Sequence, residues 1–114
     1  MKRGDVVIVD YPYSDRTGSK VRPALVVASD PINQTADTII VAISKSTHRA
    51  SATQFFIDIS TPDGRKTGLR QHSMVQCENI LTIDQKFILG SIGQLSDQMM
   101  GQVEACLSAA LGLR

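Results

Sequence analysis

Gly18-Ser19-Lys20-Val21-Arg22-Pro23-Ala24-Leu25-Val26-Val27 carries a polar, basic loop directly into an apolar run, with an arginine at the junction. A guanidinium is charged at any ordinary pH and presents a planar fork of donors that matches a phosphate or a carboxylate. Pro23 confines Arg22 to extended geometry and, lacking an N–H, suits the first residue of a strand. The backbone therefore sets where the fork begins. A surface salt bridge is the competing use of such a residue. Further single polar groups stand at the ends of apolar runs: Ser44, then Thr47 and His48, and Gln76 with Glu78 around Cys77. Each has an ordinary reading, since a strand-end hydroxyl commonly shapes a turn and loop histidines and surface carboxylates are commonly just solvated.

Other chemistries leave clearer spacing, and that spacing is missing. Asp5, Asp10, Asp15, Asp58, Asp63 and Glu78 are scattered singly, with no HxxE, HExxH or DxD arrangement that would gather carboxylates around metal ions. No GxxxxGK[ST] or GxGxxG loop points to a nucleotide cofactor, and no GxSxG elbow to a serine hydrolase. The expectation is a reaction without metal or cofactor. Cys77 and Cys106 have no CxxC or metal-type spacing and read as two reduced thiols, not a disulfide.

The chain has 114 residues, enough for one domain over 1–114 with one core. No apolar run is long enough to cross a bilayer, and Met1-Lys2-Arg3-Gly4-Asp5 leads into a strand pattern without the apolar segment of a signal peptide, so a cytoplasmic protein is expected. Net charge is +1 but uneven: residues 1–70 hold ten Lys/Arg against seven Asp/Glu, and the remainder two against four. Lys20 with Arg22, Lys45 with His48 and Arg49, and Arg65 with Lys66 and Arg70 occupy three polar segments. They form a basic groove if the fold brings them together, and ordinary solvated surface if it does not.

Those residues need strands to hold them. Residues 5–11, 23–28, 38–44, 54–60, 73–77 and 87–92 read as strands, the second a continuous apolar run suited to burial on both faces. Residues 14–19 and 30–37 read as loops, Pro62-Asp63-Gly64 as a turn and Thr82-Ile83-Asp84 as a bend. From Ser96 the period becomes helical, with Met99, Val103, Cys106 or Leu107, and Ala110 or Leu111 on one face, Ser96 as N-cap and Gly112 as terminator. Short strands followed by one helix predict a small bent sheet or partly open barrel, mainly β with α, plugged by a C-terminal α-helix.

Arg3-Gly4-Asp5-Val6, Lys20 to Val27, Ile40-Val41-Ala42-Ile43-Ser44, Thr82-Ile83-Asp84 and the closing helix resemble, in order over essentially the whole chain, the MazF/PemK (Kid) family of toxin endoribonucleases. The resemblance implies an SH3-like barrel shared by CcdB, MazF and PemK and a homodimer. It also implies metal-free cleavage of single-stranded RNA at short sequences, and a cognate antitoxin whose disordered tail lies over the RNA groove. Operator DNA would be reached only through that antitoxin, and no membrane is involved. Arg22 matches the family's catalytic arginine. Its strand-end threonine falls on Ser44, a departure that keeps the hydroxyl. The Arg-x-Asp pair of the PemK branch falls on Gln76 and Glu78, so the arginine is missing and the acid retained, and that branch's loop histidine has no match between Tyr13 and Lys20.

The chemistry so implied uses the ribose 2′-hydroxyl against its own 3′ phosphate, giving a 2′,3′-cyclic phosphate and a 5′-hydroxyl. Arg22 would stabilise the charge on the phosphoryl oxygens, Glu78 would take the proton with His48 as rival, and Ser44 or Thr47 would hold the phosphate. Lys20, Thr47, His48, Gln76 and Tyr13 are the expected substrate contacts, and Tyr11 and Tyr13 the available stacking rings in a chain with no Trp. Three other readings stand beside this one: a CcdB-type gyrase poison, which the non-aromatic end Leu111-Gly112-Leu113-Arg114 disfavours, a non-catalytic SH3-like binding module, and a toxin weakened at Ser44 and Gln76.

Overall fold

A computed structural model describes residues 1–12, 19–47 and 51–113. The elements are β1 (Asp5–Pro12), β2 (Ser19–Val26), α1 (Asp30–Asn33), β3 (Asp37–Ser44), β4 (Gln54–Ile57), α2 (Pro62–Lys66), β5 (Ser73–Asp84), a 3-10 turn at Gln85–Phe87, β6 (Ile88–Gln94) and α3 (Asp97–Leu111). The six strands form one antiparallel sheet in the order β4-β5-β3-β2-β1-β6.

Strand alternation sends side chains to two cores. Val6, Leu25, Val41, Ile43, Ile57, Val75 and Cys77 face α3, which adds Met99, Met100 and Val103, while Val7, Val9, Ala24, Val26 and Ile40 form a second cluster on the other face. The apolar run of β2 is thus buried on both sides, as its composition predicts. Each fully buried Val or Leu contributes roughly 1.5–3 kcal/mol relative to exposure. Helix α3 begins and ends where the residues indicate: the Ser96 hydroxyl oxygen accepts the Met99 N–H at 3.1 Å, and Gly112 terminates it at φ 70°.

The Arg3-Gly4-Asp5 segment is an anchor for this arrangement. Asp5, 8% exposed, accepts from the Lys2 N–H (3.0 Å) and the Gln94 side-chain amide (3.2 Å), and Arg3 pairs with Glu104 of α3 at 3.0 Å.

Several local expectations are corrected. Pro62-Asp63-Gly64 opens α2 instead of making a turn, because Thr61 caps it, accepting the Gly64 N–H at 2.9 Å, and Pro at the first helical position leaves no donor unsatisfied. Residues 30–33 form α1 within the expected loop, and the fourth strand stops at Ile57, three residues early. Thr82-Ile83-Asp84 does not bend; it extends β5, held by pairing with Asp37, Thr38 and Ile39 of β3, and the bend falls at Gln85.

The edges of the sheet are joined by packing. The chain after α2 crosses to β6, where Gly68 (φ +74°) and Gly93 press backbone on backbone: a Cβ at Gly68 would lie 2.0 Å from the Ile92 carbonyl oxygen. The result is a partly open barrel.

Candidate active site

The site forms where β2 and β3 separate. Their ladder pairs Val26 with Ile40, Leu25 with Val41 and Ala24 with Ala42, and then stops. Arg22 and Ser44 are the positions the same register would bring opposite each other, two residues beyond the last pair. Alternation places Tyr11, Arg22, Ala42, Ser44 and Gln76 on one face, with Val9 opposite Arg22, Tyr11 opposite Lys20 and Ala42 opposite Gln76. Between them lies a cleft of about 390 Å³ lined by Tyr11, Lys20, Arg22, Ser44, Gln76 and Asn79, among others.

Arg22 is partly buried and makes neither an ion pair nor a hydrogen bond with a described residue. Its fork is open to an anion. Burial pushes the Tyr11 phenol up, and the neighbouring Arg22 charge draws it part of the way back, so at neutral pH the ring carries an O–H donor beside the guanidinium. Ser44 Oγ accepts the Ser46 N–H at 3.1 Å, which leaves the hydroxyl proton available to a second partner. Three donors of different kinds thus border one open concavity in a chain with a basic N-terminal half.

The pattern of the family described as "PemK-like, MazF-like toxin of type II toxin-antitoxin system" matches residues 2–111. The chain belongs to this family. Endoribonuclease EndoA of Bacillus subtilis is 32% identical over 114 residues, covering 99% of this chain and 96% of that protein. A mycobacterial endoribonuclease solved in complex with its cognate antitoxin shares 25% identity and superposes with a TM-score of 0.80 over 100% of this chain and 97% of its own. The fold also matches Mycobacterium tuberculosis toxin MazF-mt6, at a TM-score of 0.78 and 22% identity over 96% and 98% of the two chains.

Not every residue singled out in this PemK/MazF-like toxin reaches the cleft. Lys20, Arg22, Ser44 and Gln76 do. Thr47 is exposed and does not line it, and Tyr13 and His48 lie outside the described residues. Glu78 also stands apart. The β3–β5 register jumps, Val41 pairing with Ile80 and Ala42 with Gln76, so Cys77, Glu78 and Asn79 bulge out of the ladder. The bulge re-aims these side chains. Asn79 lines the cleft, whereas Glu78 turns to β4 and accepts from Gln54 Nε2 at 2.7 Å and Thr53 Oγ1 at 3.0 Å. Slight desolvation pushes the Glu78 carboxyl up, but its own backbone amide, Gln54 and Thr53 together outweigh this and hold it below the usual range. Both carboxylate oxygens are thus engaged, and the expected base does not line the cleft.

Asn79 escaped the sequence reading because nothing in the residues marks the bulge. Tyr11 was visible only as a ring, its proximity to Arg22 being a matter of register.

On the far side of the same notch a larger groove of about 720 Å³ is lined by Lys20, Val21, Arg22, Lys45, Arg70 and Ile92, among others. Parts of all three basic segments contribute to the surface, but not all of each. Arg65 turns away to donate to the Ser60 carbonyl at 2.8 Å, Lys66 lines a separate depression with Ser91 and Asp97, and Arg49 lies outside the described residues. Cys77 is buried, and Cys106 half-buried; both are free thiols. Among the described residues no three His, Cys, Asp or Glu side chains gather as metal ligands.

Proposed function

We propose that this toxin is a sequence-specific endoribonuclease that cleaves single-stranded RNA without a metal, and that Arg22 is its principal catalytic residue. The observation that carries the reading is the open guanidinium of Arg22 in a cleft that also holds the Tyr11 and Ser44 hydroxyls. The names of the related endoribonucleases support the same activity.

RNA brings its own nucleophile, so the protein need supply none. As the 2′-oxygen attacks the adjacent phosphorus its proton passes to solvent, the phosphorus becomes five-coordinate and more highly charged, and the bond to the 5′-oxygen breaks as that oxygen takes a proton from solvent. Arg22 donates its two parallel N–H bonds to the phosphoryl oxygens as that charge develops, and Ser44 donates one hydroxyl bond that fixes the phosphate. The Tyr11 phenol, kept protonated, donates a third. Lys20 draws the phosphate in, while Gln76 offers the adjoining base a carboxamide with no partner among the described residues. No carboxylate or imidazole lines the cleft among the described residues, and what those residues supply is charge stabilisation and positioning.

One domain over 1–114 carries this activity. The solved mycobacterial complex supports a cognate antitoxin as partner, with operator DNA reached through it and a second copy of the chain completing a homodimer. No helix among the described residues is long and apolar enough to cross a membrane, which accords with action in the cytoplasm, where mRNA is the substrate and growth inhibition the outcome.

The test is incubation with a long single-stranded RNA in EDTA. Fragments should appear whose 5′ ends accept phosphate from polynucleotide kinase without prior phosphatase treatment, each upstream fragment ending in a cyclic phosphate. RNA left whole would sink the reading and favour a binding module.

A further inference from the structure

The groove of Lys45 and Arg70 has no part in the reaction as described above. It opens on the face of the sheet opposite the cleft, yet the two concavities share Lys20, Arg22, Pro23 and Ile43. They are the two mouths of one notch, the gap left where the β2–β3 ladder ends at Ala24 and Ala42.

Among the described residues the charge in the groove is uncompensated. Lys20, Arg22, Lys45 and Arg70 line it, no Asp or Glu does, and none of the four forms an ion pair with a described residue. The nearest acid by register, Asp10, stands opposite Val21 with its Oδ1 buried and without a hydrogen-bond partner, and it does not reach these cations. Like charges gathered in one concavity raise a positive potential that an extended anion relieves. Between the cations lie exposed apolar surfaces, Val21 at 57% and Ile92 at 39% exposure. Backbone charges flanked by apolar platforms match a single nucleic-acid strand, with phosphates on the cations and bases against the apolar wall.

We propose that single-stranded RNA threads the notch. The scissile phosphate sits at Arg22, nucleotides on one side lie in the Tyr11–Gln76 cleft, and those on the other side lie in the groove, where Lys45 and Arg70 hold backbone phosphates. This rests on the endoribonuclease reading. Phosphate contacts position a strand without reading its bases, so Lys45 and Arg70 set affinity and salt dependence and leave the cleavage sequence unaltered.

The test is kcat/KM against KCl concentration on a single-stranded RNA extending well beyond the mapped cut, with fluorescence anisotropy on the same RNA. Lys45→Ala and Arg70→Ala should each reduce the log–log salt slope by about 0.7, and the double variant by about 1.4. The loss should appear in KM, with the cut unmoved. Lys45→Arg and Arg70→Lys should restore the slope, and Lys86→Ala, on the 3-10 turn away from the groove, should leave it at the wild-type value. A double variant with the wild-type slope, or with a shifted cut, overturns the threading. Wild-type protein that leaves RNA whole but binds it with a slope dependent on Lys45 and Arg70 removes the ribonuclease reading and keeps the groove.

Discussion

Arg22→Ala separates catalysis from folding more cleanly than any other single change. The side chain is partly buried and joins no ion pair or hydrogen bond with a described residue, so truncation forfeits only the packing of its aliphatic stem. The structural cost should stay below about 1 kcal/mol. Removing a preorganised donor from a developing oxyanion costs about 10²–10³ in rate, or about 2.7–4 kcal/mol of transition-state stabilisation. Arg22→Lys retains the charge without the planar fork and should recover only part of the loss. Single-turnover cleavage at saturating protein in EDTA measures the rate loss, and urea denaturation the structural cost. A third readout is independent of RNA: the Arg22 charge lowers the Tyr11 phenol against its burial, so its removal should move the phenolate absorbance transition to higher pH. A rate loss below about 5-fold, or a fall in stability matching the rate loss, would refute the assignment, since either would mean that the guanidinium serves the fold or nothing.

Three further outcomes follow from the same geometry. Glu78→Gln should keep cleavage within about 3-fold, well short of the 10²–10⁴ that loss of a general base costs; because the folded carboxyl is held below its ordinary range, its stabilising effect is present above that range and lost as pH falls below it, so the wild type should shed more stability than Glu78→Gln in acid melts. Gly68→Ala forces a side chain into φ +74° against the Ile92 carbonyl and should cost about 2–4 kcal/mol in urea midpoint analysis. The Cys77 thiol, buried beside Cys106 and Glu78, is pushed up to about 12, so at pH 8 it should resist iodoacetamide in the native chain and react once urea unfolds it, as peptide mass mapping would show.

The legible parts of this fold are those set by local periodicity. A continuous apolar run marked the doubly buried β2, a β-branched run marked β3, and the 3.6-residue spacing between Ser96 and Gly112 defined α3. Pro62-Asp63-Gly64 misled because the same residues suit a turn and the first turn of a helix, and the Thr61 cap makes them the latter. Within the site, Arg22 was readable because Pro23 restrains it in the sequence itself. Glu78 was not: on a regular strand it would share the face of Gln76, but the register jump between Gln76 and Ile80 is a property of two paired strands that one strand's residues do not encode. The same holds for Lys45 and Arg70, visible as members of basic clusters but brought to one groove by strands far apart in sequence.

The two ends of the β2–β3 pair show why the site sits where it does. At the closed end a cluster of polar groups is engaged: Val27 and Ala28 both donate to the Ile39 carbonyl, Thr38 donates to Asn33 at 2.6 Å, and the Gln85 amide reaches the carbonyls of Asn33, Thr35 and Asp37 within 3.0 Å. That clamp fixes the spacing of the two strands on one side. At the other end the ladder has stopped, and Arg22, Gln76 and Asn79 keep donors that nothing in the described fold uses. Open donors on rigid strands, at a gap where one ladder ends beside a bulge in the next, are costly to a structure that needs only to fold and useful to one that must hold an anion in a fixed geometry. The asymmetry of one strand pair therefore underlies the proposed site, and it makes a concrete demand: cross-strand contacts at the clamp, such as Gln85, should matter to stability, while those at the notch should matter to RNA.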